Sequence, residues 1–149
     1  MVDVEKMINI VKEKISYYQL YKSKIEKLNT QKDTNNKNTD VNSWIRSINS
    51  TTDKTANSAI KNIDIDEKIK YIMNWKLLID EVIEFYKKKD IFIFEIITNK
   101  ALYGLSDTIS MELIGISRTT YYKYLQIIYC EIGINSIERG LINIKEIKF

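Results

Sequence analysis

Leu105-Ser106-Asp107-Thr108-Ile109-Ser110-Met111-Glu112-Leu113-Ile114-Gly115-Ile116-Ser117-Arg118-Thr119-Thr120-Tyr121-Tyr122-Lys123-Tyr124-Leu125 is the stretch that decides how this 149-residue chain is read. Ser106 is a good N-cap for a short helix ending near Leu113, because its hydroxyl can accept from an otherwise unpaired backbone N–H. Gly115 follows as a residue free to take positive φ. Ile116 reads as a buried turn residue, and Ser117 caps a second helix running to about Ile132. Tyr121, Leu125, Ile128 and Ile132 recur at i, i+4, i+7 and i+11, which marks one inward helical face. A short helix, a three- to four-residue turn containing glycine and a capped second helix make a helix-turn-helix.

In such a motif the second helix enters a major groove by its N-terminal end. The outward positions there are Arg118, Thr119, Tyr122, Lys123 and Gln126. Arg can bond guanine bidentately and Gln can do the same to adenine. Hydroxyls, Lys and the helix N-terminus itself suit phosphate oxygens. With Ser106, Ser117 and Thr120, these residues form the candidate DNA-binding set. The competing interpretation is an ordinary αα-hairpin with a solvated polar face.

Ile114-Gly115-Ile116-Ser117-Arg118-Thr119-Thr120-Tyr121-Tyr122-Lys123 resembles the helix-turn-helix of region four of sigma factors, and resembles more closely the ArpU/RinA group of phage transcriptional regulators. Ser50-Thr51-Thr52-Asp53-Lys54-Thr55 is similar to a polar stretch mid-chain in that group. The likeness covers residues 105 to 126 well and 44 to 130 loosely. It implies a phage or prophage activator of late genes that binds promoter DNA. Two positions depart from the pattern. Met111 stands where a small Ala is usual, and Ser110 where an apolar residue is usual. Either the two helices pack further apart, or the register is shifted by one. The tail from Gly133 to Phe149 has no counterpart in the resemblance, and its alternation from Leu141 onward suits a short strand, a frayed helix or a partner-binding segment.

Working outward, Asp90 can cap a helix from Ile91 to about Leu102 that is apolar nearly all round and therefore central, with Gly104 as its C-cap. Residues 64 to 89 read as a long helix capped by Asp64 or Asp66. Ile69, Ile72, Met73, Trp75 or Lys76, Ile79, Val82, Ile83 and Tyr86 form its apolar face, and Lys87-Lys88-Lys89 complements the dipole at its end. Residues 31 to 63 read as a polar linker holding a short helix through Ala56, Ala59 and Ile60, with Trp44 as its anchor to the core. Residues 1 to 30 are expected to hold one long helix. Val4, Ile8, Val11, Ile15, Tyr18 and Ile25 lie on its heptad-like seam, interrupted at Lys22. That stripe can form a homodimer through residues 4–28 or pack on the rest of the chain, since periodicity does not name its partner.

The composition agrees with an all-α fold: the chain contains no proline and four glycines. It contains no histidine and a single cysteine, Cys130, which excludes Ser-His-Asp and Cys-His nucleophile systems, His-ligated zinc and thiolate zinc clusters. Cys130 reads as a small core residue. No internal disulfide can form, no signal peptide opens the chain and no apolar run spans a bilayer, so an intracellular location and no membrane partner are expected, and the phage resemblance implies the cytoplasm of a bacterial host cell. Asp80, Glu81 and Glu84 could in principle hold a cation, but Lys76, Lys87 and Lys88 at helical spacing make an ion-paired face the better account. No catalytic residue, metal or cofactor is expected.

Charge sets a limit on DNA affinity. The chain is formally +3, yet residues 101–149 carry five basic and five acidic groups. A chain that neutralises few phosphates binds duplex weakly and with a shallow salt dependence. Dimerisation or recruitment by RNA polymerase would supply the missing affinity through effective concentration. The expected function is therefore sequence-specific, sigma-like transcriptional activation on double-stranded DNA. The rivals are a phage small-terminase-like DNA recognition subunit and a helical adaptor that binds protein alone.

Overall fold

The computed structural model describes the backbone of residues 1–37 and 51–148, with side chains for 1–34 and 59–148. The chain is all-α: six helices, with no strand among the described residues. They are α1 (Val4–Ser16), α2 (Tyr18–Lys37), α3 (Thr51–Lys89), α4 (Ile91–Ala101), α5 (Asp107–Ile114) and α6 (Arg118–Glu138), followed by a 3-10 turn at Ile144–Glu146. Among the described residues no helix is long and apolar enough to cross a membrane.

The chain divides into two compact units, Met1–Tyr21 with Asn74–Phe149, and Lys22–Met73. The first holds most of the buried apolar side chains. In it α1 packs on α4 and α6, and α4 also packs on α5 and α6, so α4 has the central place its composition predicts, although Ile91 and Phe92 at its start stay exposed. The stripe of Ile8, Val11 and Ile15, joined by Met7, is buried inside this unit. The apolar seam of α1 is thus covered by its own chain, which is why residues 1–21 group with the C-terminal part and do not form a separate N-terminal element. Gly133 of α6 permits the close approach of α1, since a Cβ there would lie 2.7 Å from Met7 Sδ.

Several boundaries differ from those read in the sequence. The expected single helix over residues 3–30 breaks at Tyr17, which caps α1; α2 restarts at Tyr18. The break rotates the inward face, so Tyr21 is buried while Leu20 is exposed; Val4, at the start of α1, is exposed as well. Tyr21 then returns its hydroxyl to the Lys14 carbonyl at 2.7 Å, across the break. The polar residues 29–37 are helical, since no Gly or Pro interrupts them; Thr30 and Thr34 turn their hydroxyls back to carbonyls four residues earlier, both at 2.9 Å. Likewise α3 is continuous from Thr51, so Asp64 and Asp66 lie inside it and cap nothing, and the expected short helix through Ala56, Ala59 and Ile60 is its first part. Trp44, the residues around it and Ser50 lie outside the described residues. Met73 is exposed, and Leu78 takes a buried place on the face of α3.

The second unit has a thin core. Ile65 is its buried apolar residue among those described, and Lys32 pairs with Asp66 at 2.8 Å. In the first unit the tail returns to the N-terminus: Asp3 N–H donates to the Ile147 carbonyl at 2.6 Å, Val2 bridges Lys148, and Ile142 and Ile147 are buried. Neither a strand nor an extension of α6 accounts for this tail; two apolar anchors and one bridge hold it. α6 itself runs six residues beyond the expected end at Ile132.

Candidate nucleic-acid interface

The segment joining α5 to α6 is built from local chemistry. Ser106 caps α5, its Oγ accepting from Ile109 N–H at 3.4 Å. Gly115 ends α5 in the left-handed region, φ 75° and ψ 32°, and donates its N–H to the Met111 carbonyl at 2.9 Å. Ile116 is half-buried in the three-residue turn. Ser117 then caps α6: its Oγ accepts from Thr120 N–H at 3.3 Å and donates to Thr120 Oγ1 at 2.9 Å. A Cβ at Gly115 meets no atom within 4 Å, so only the backbone conformation opposes a side chain there. Gly115→Ala should therefore cost about 1 kcal/mol, and Gly115→Asn less, as read from urea midpoints. Equal midpoints for glycine and alanine would contradict this reading of the turn.

Behind the turn lies a polar cluster that anchors both helices. Asp107, in the first turn of α5, accepts from Lys100 Nζ at 2.5 Å and from the Tyr121 hydroxyl at 2.7 Å. Asn99 donates to Ser110 Oγ at 3.1 Å, and Ser110 is 0% exposed. Ser110 is thus the small residue facing inward, while Met111 is only half-buried. The cluster left no periodic signal in the sequence. The 14-residue separation of Asp107 and Tyr121 becomes a contact only once the turn has formed.

Partial burial works to raise the Asp107 pKa. The hydrogen bonds from Lys100 and Tyr121 and the nearby charge of Lys12 outweigh it, and the carboxyl sits below its ordinary value. Burial, then the Asp107 carboxylate, push the Tyr121 hydroxyl upward, so it remains a donor. The sign for stability follows. A carboxyl depressed on folding stabilises the fold above its unfolded pKa of about 3.9, and that contribution is lost as pH falls through the folded value. Asp107→Asn should cost about 1–2 kcal/mol at pH 7 and make the urea midpoint less sensitive to pH between about 5 and 3. An unchanged acid profile in the variant would remove Asp107 from this role.

The outward edge of α6 carries the sequence-derived candidates. Arg118, Thr119, Tyr122, Lys123 and Gln126 are all exposed. The Arg118 guanidinium lies 5.6 Å from the Tyr122 ring centroid, and Tyr122 meets Tyr121 edge-on at 5.4 Å, so the first turns present an ordered Arg–Tyr pair. Ser106 and Ser117 are exposed but spend their hydroxyls on capping, and Thr120 is half-buried against Ser117. Five of the eight candidates therefore share one solvent-facing edge, and three build the frame that holds it. Tyr122 and Gln126 also border a cavity of about 530 Å³ that reaches Lys12, Gln19 and Tyr129.

Some charges elsewhere in this unit are matched. Asp80 accepts from Lys76 at 2.7 Å and from the Tyr18 hydroxyl, and Glu81 pairs with Arg139. Of the expected ion-paired face, Asp80 pairs with Lys76 and Glu81 with Arg139, whereas Glu84, Lys87 and Lys88 take part in no ion pair found among the described residues. Arg118 and Lys123 take part in no ion pair found among the described residues, and they lie on the same helix edge. Cys130 is half-buried on the outer side of α6 and is not in the core. No family model, curated protein or solved structure matches the chain.

Proposed function

We propose that the chain is a DNA-binding transcriptional regulator that reads duplex DNA with the N-terminal edge of α6, acting without catalysis or a cofactor. The observation that carries this is the edge itself: Arg118, Thr119, Tyr122, Lys123 and Gln126 exposed together at the start of a helix whose opposite face, Tyr121, Leu125, Ile128 and Ile132, is buried. The short α5, the left-handed Gly115 and the Ser117 cap are the parts a helix-turn-helix requires. Arg and Gln there supply base contacts, while Lys and hydroxyls supply phosphate contacts. The resemblance to the ArpU/RinA group and to sigma region four narrows the proposal to promoter DNA of phage or prophage late genes, in a bacterial cytoplasm, with RNA polymerase as the partner that raises affinity.

Arg118 and Lys123, the two cations on this edge, set the expected electrostatics. Binding of a duplex library should be weak, with log affinity falling against log salt at a slope of about −2 for one chain. Selection of bound duplexes from random sequence, followed by footprinting, tests the proposal. Enrichment of a defined site supports it. Absence of any duplex binding at low salt, with and without polymerase, would favour the protein-only adaptor, and a ring assembly would favour the terminase-like subunit.

A further inference from the structure

The outer side of α6 changes character along its length. After the polar edge come Ile127, Cys130 and Ile134, with Ile127 41% and Ile134 54% exposed on a half of the helix that its own chain leaves uncovered. Lys123 precedes them by four residues and Glu138 follows by four. The five positions step by 4, 3, 4 and 4, which is the spacing of a helix–helix seam.

The charges at the ends of α6 run against the helix. α6 has no acidic residue in its first turn and no basic residue in its last; it places Arg118 and Lys123 toward its positive end and Glu138 at its negative end. Arg118 and Glu138 have the less favourable sign for their ends of the macrodipole, while Lys123, in the second turn, lies beyond its short reach. Lys123 and Glu138 lie about 22 Å apart along the axis, so they cannot neutralise one another within one chain. An antiparallel second copy brings Lys123 and Glu138 each to an opposite charge. Centred between Cys130 and Glu131, such a pairing sets Ile127 against the partner copy's Ile134 and Lys123 against its Glu138, each twice by symmetry. Cys130 falls beside its own counterpart near the two-fold axis. Glu131 also lies near the axis, but the Tyr86 hydroxyl donates to it and holds it on the side of α3.

We infer that the outer face of α6 is the interface of a homodimer, a second copy of this chain docking antiparallel along Lys123, Ile127, Cys130, Ile134 and Glu138. Self-complementary charge together with an uncovered apolar stripe selects a second copy over an unrelated partner. The inference shares Lys123 with the DNA-binding proposal, but its test stands apart from it, because oligomeric state can be read without nucleic acid. The seam is short beside a standard interface of about 1,600 Å², so the dissociation constant should lie in the micromolar range or above.

Sedimentation of the full chain from about 5 to 300 µM should show a shift from one 17.6 kDa chain toward twice that mass. Ile127→Glu and Ile134→Glu should each return it to monomer with unchanged helicity by circular dichroism, both positions being on the surface. Lys123→Glu alone and Glu138→Lys alone should each weaken association roughly tenfold, and the double exchange should restore it. Since Cys130 is the one cysteine of the chain, mild oxidation at dimer-forming concentrations should trap a disulfide-linked pair, and Cys130→Ser should not be trapped. A wild-type chain that is monomeric throughout overturns the inference. So does a dimer indifferent to the two Ile→Glu changes, or a double exchange that fails to recover what the single ones lose.

Discussion

Replacing Arg118 and Lys123 together by alanine should lower affinity for a selected duplex roughly a hundredfold while leaving the fold intact. Each side chain is exposed and neither holds an ion pair among the described residues, so the folded state loses little beyond the Arg118–Tyr122 stacking at 5.6 Å. On the DNA side the two losses differ in kind. A guanidinium on a guanine edge contributes about 1–3 kcal/mol of discrimination, whereas an ammonium on a phosphate contributes to all sequences alike. Arg118→Ala alone should therefore flatten the preference at one base pair. Lys123→Ala alone should weaken all sites together and reduce the salt slope by about 1. Gel shifts at three salt concentrations with matched and mismatched duplexes separate these outcomes. Undiminished binding by the double variant would refute the assignment of this edge.

Much of the frame around that edge was legible because its causes are local. Ser106, Gly115 and Ser117 act within one turn of where they stand, and the i, i+4, i+7, i+11 recurrence of Tyr121, Leu125, Ile128 and Ile132 follows from helix geometry alone. What escaped depends on contacts distant in sequence or on the absence of a breaker. Nothing in residues 31–37 stops a helix, although their polarity reads as that of a linker. The break at Tyr17 is a matter of tertiary fit: α1 carries a normal heptad stripe up to that point, and Tyr21 replaces Tyr18 as the buried residue beyond it. The inward turn of Ser110 is fixed by Asn99 from a different helix, and the uncovered half of α6 could not be recognised before its end at Glu138 was known.

The same dependence makes Tyr121 a residue whose loss should damage the molecule severely. Its ring is 0% exposed between α5 and α6, and its hydroxyl donates to Asp107 at 2.7 Å. Two separable effects are therefore carried by one side chain. Tyr121→Phe keeps the ring and removes the donor. Asp107 retains Lys100 at 2.5 Å, so the cost should be about 1–2 kcal/mol. Tyr121→Ala also opens a cavity where the turn closes, which should raise the cost to about 3–5 kcal/mol. Both are measurable as urea midpoints at constant slope. DNA affinity should follow the ring and not the hydroxyl, because the ring sets how the first turn of α6 sits on α5, while the hydroxyl only ties a carboxylate that has a second partner. Near-wild-type duplex binding is thus expected for Tyr121→Phe and a large loss for Tyr121→Ala at temperatures where both are folded. If the two variants are equally stable and bind equally well, the packed ring is not what holds the edge in place, and the polar cluster at Asp107 alone must position it.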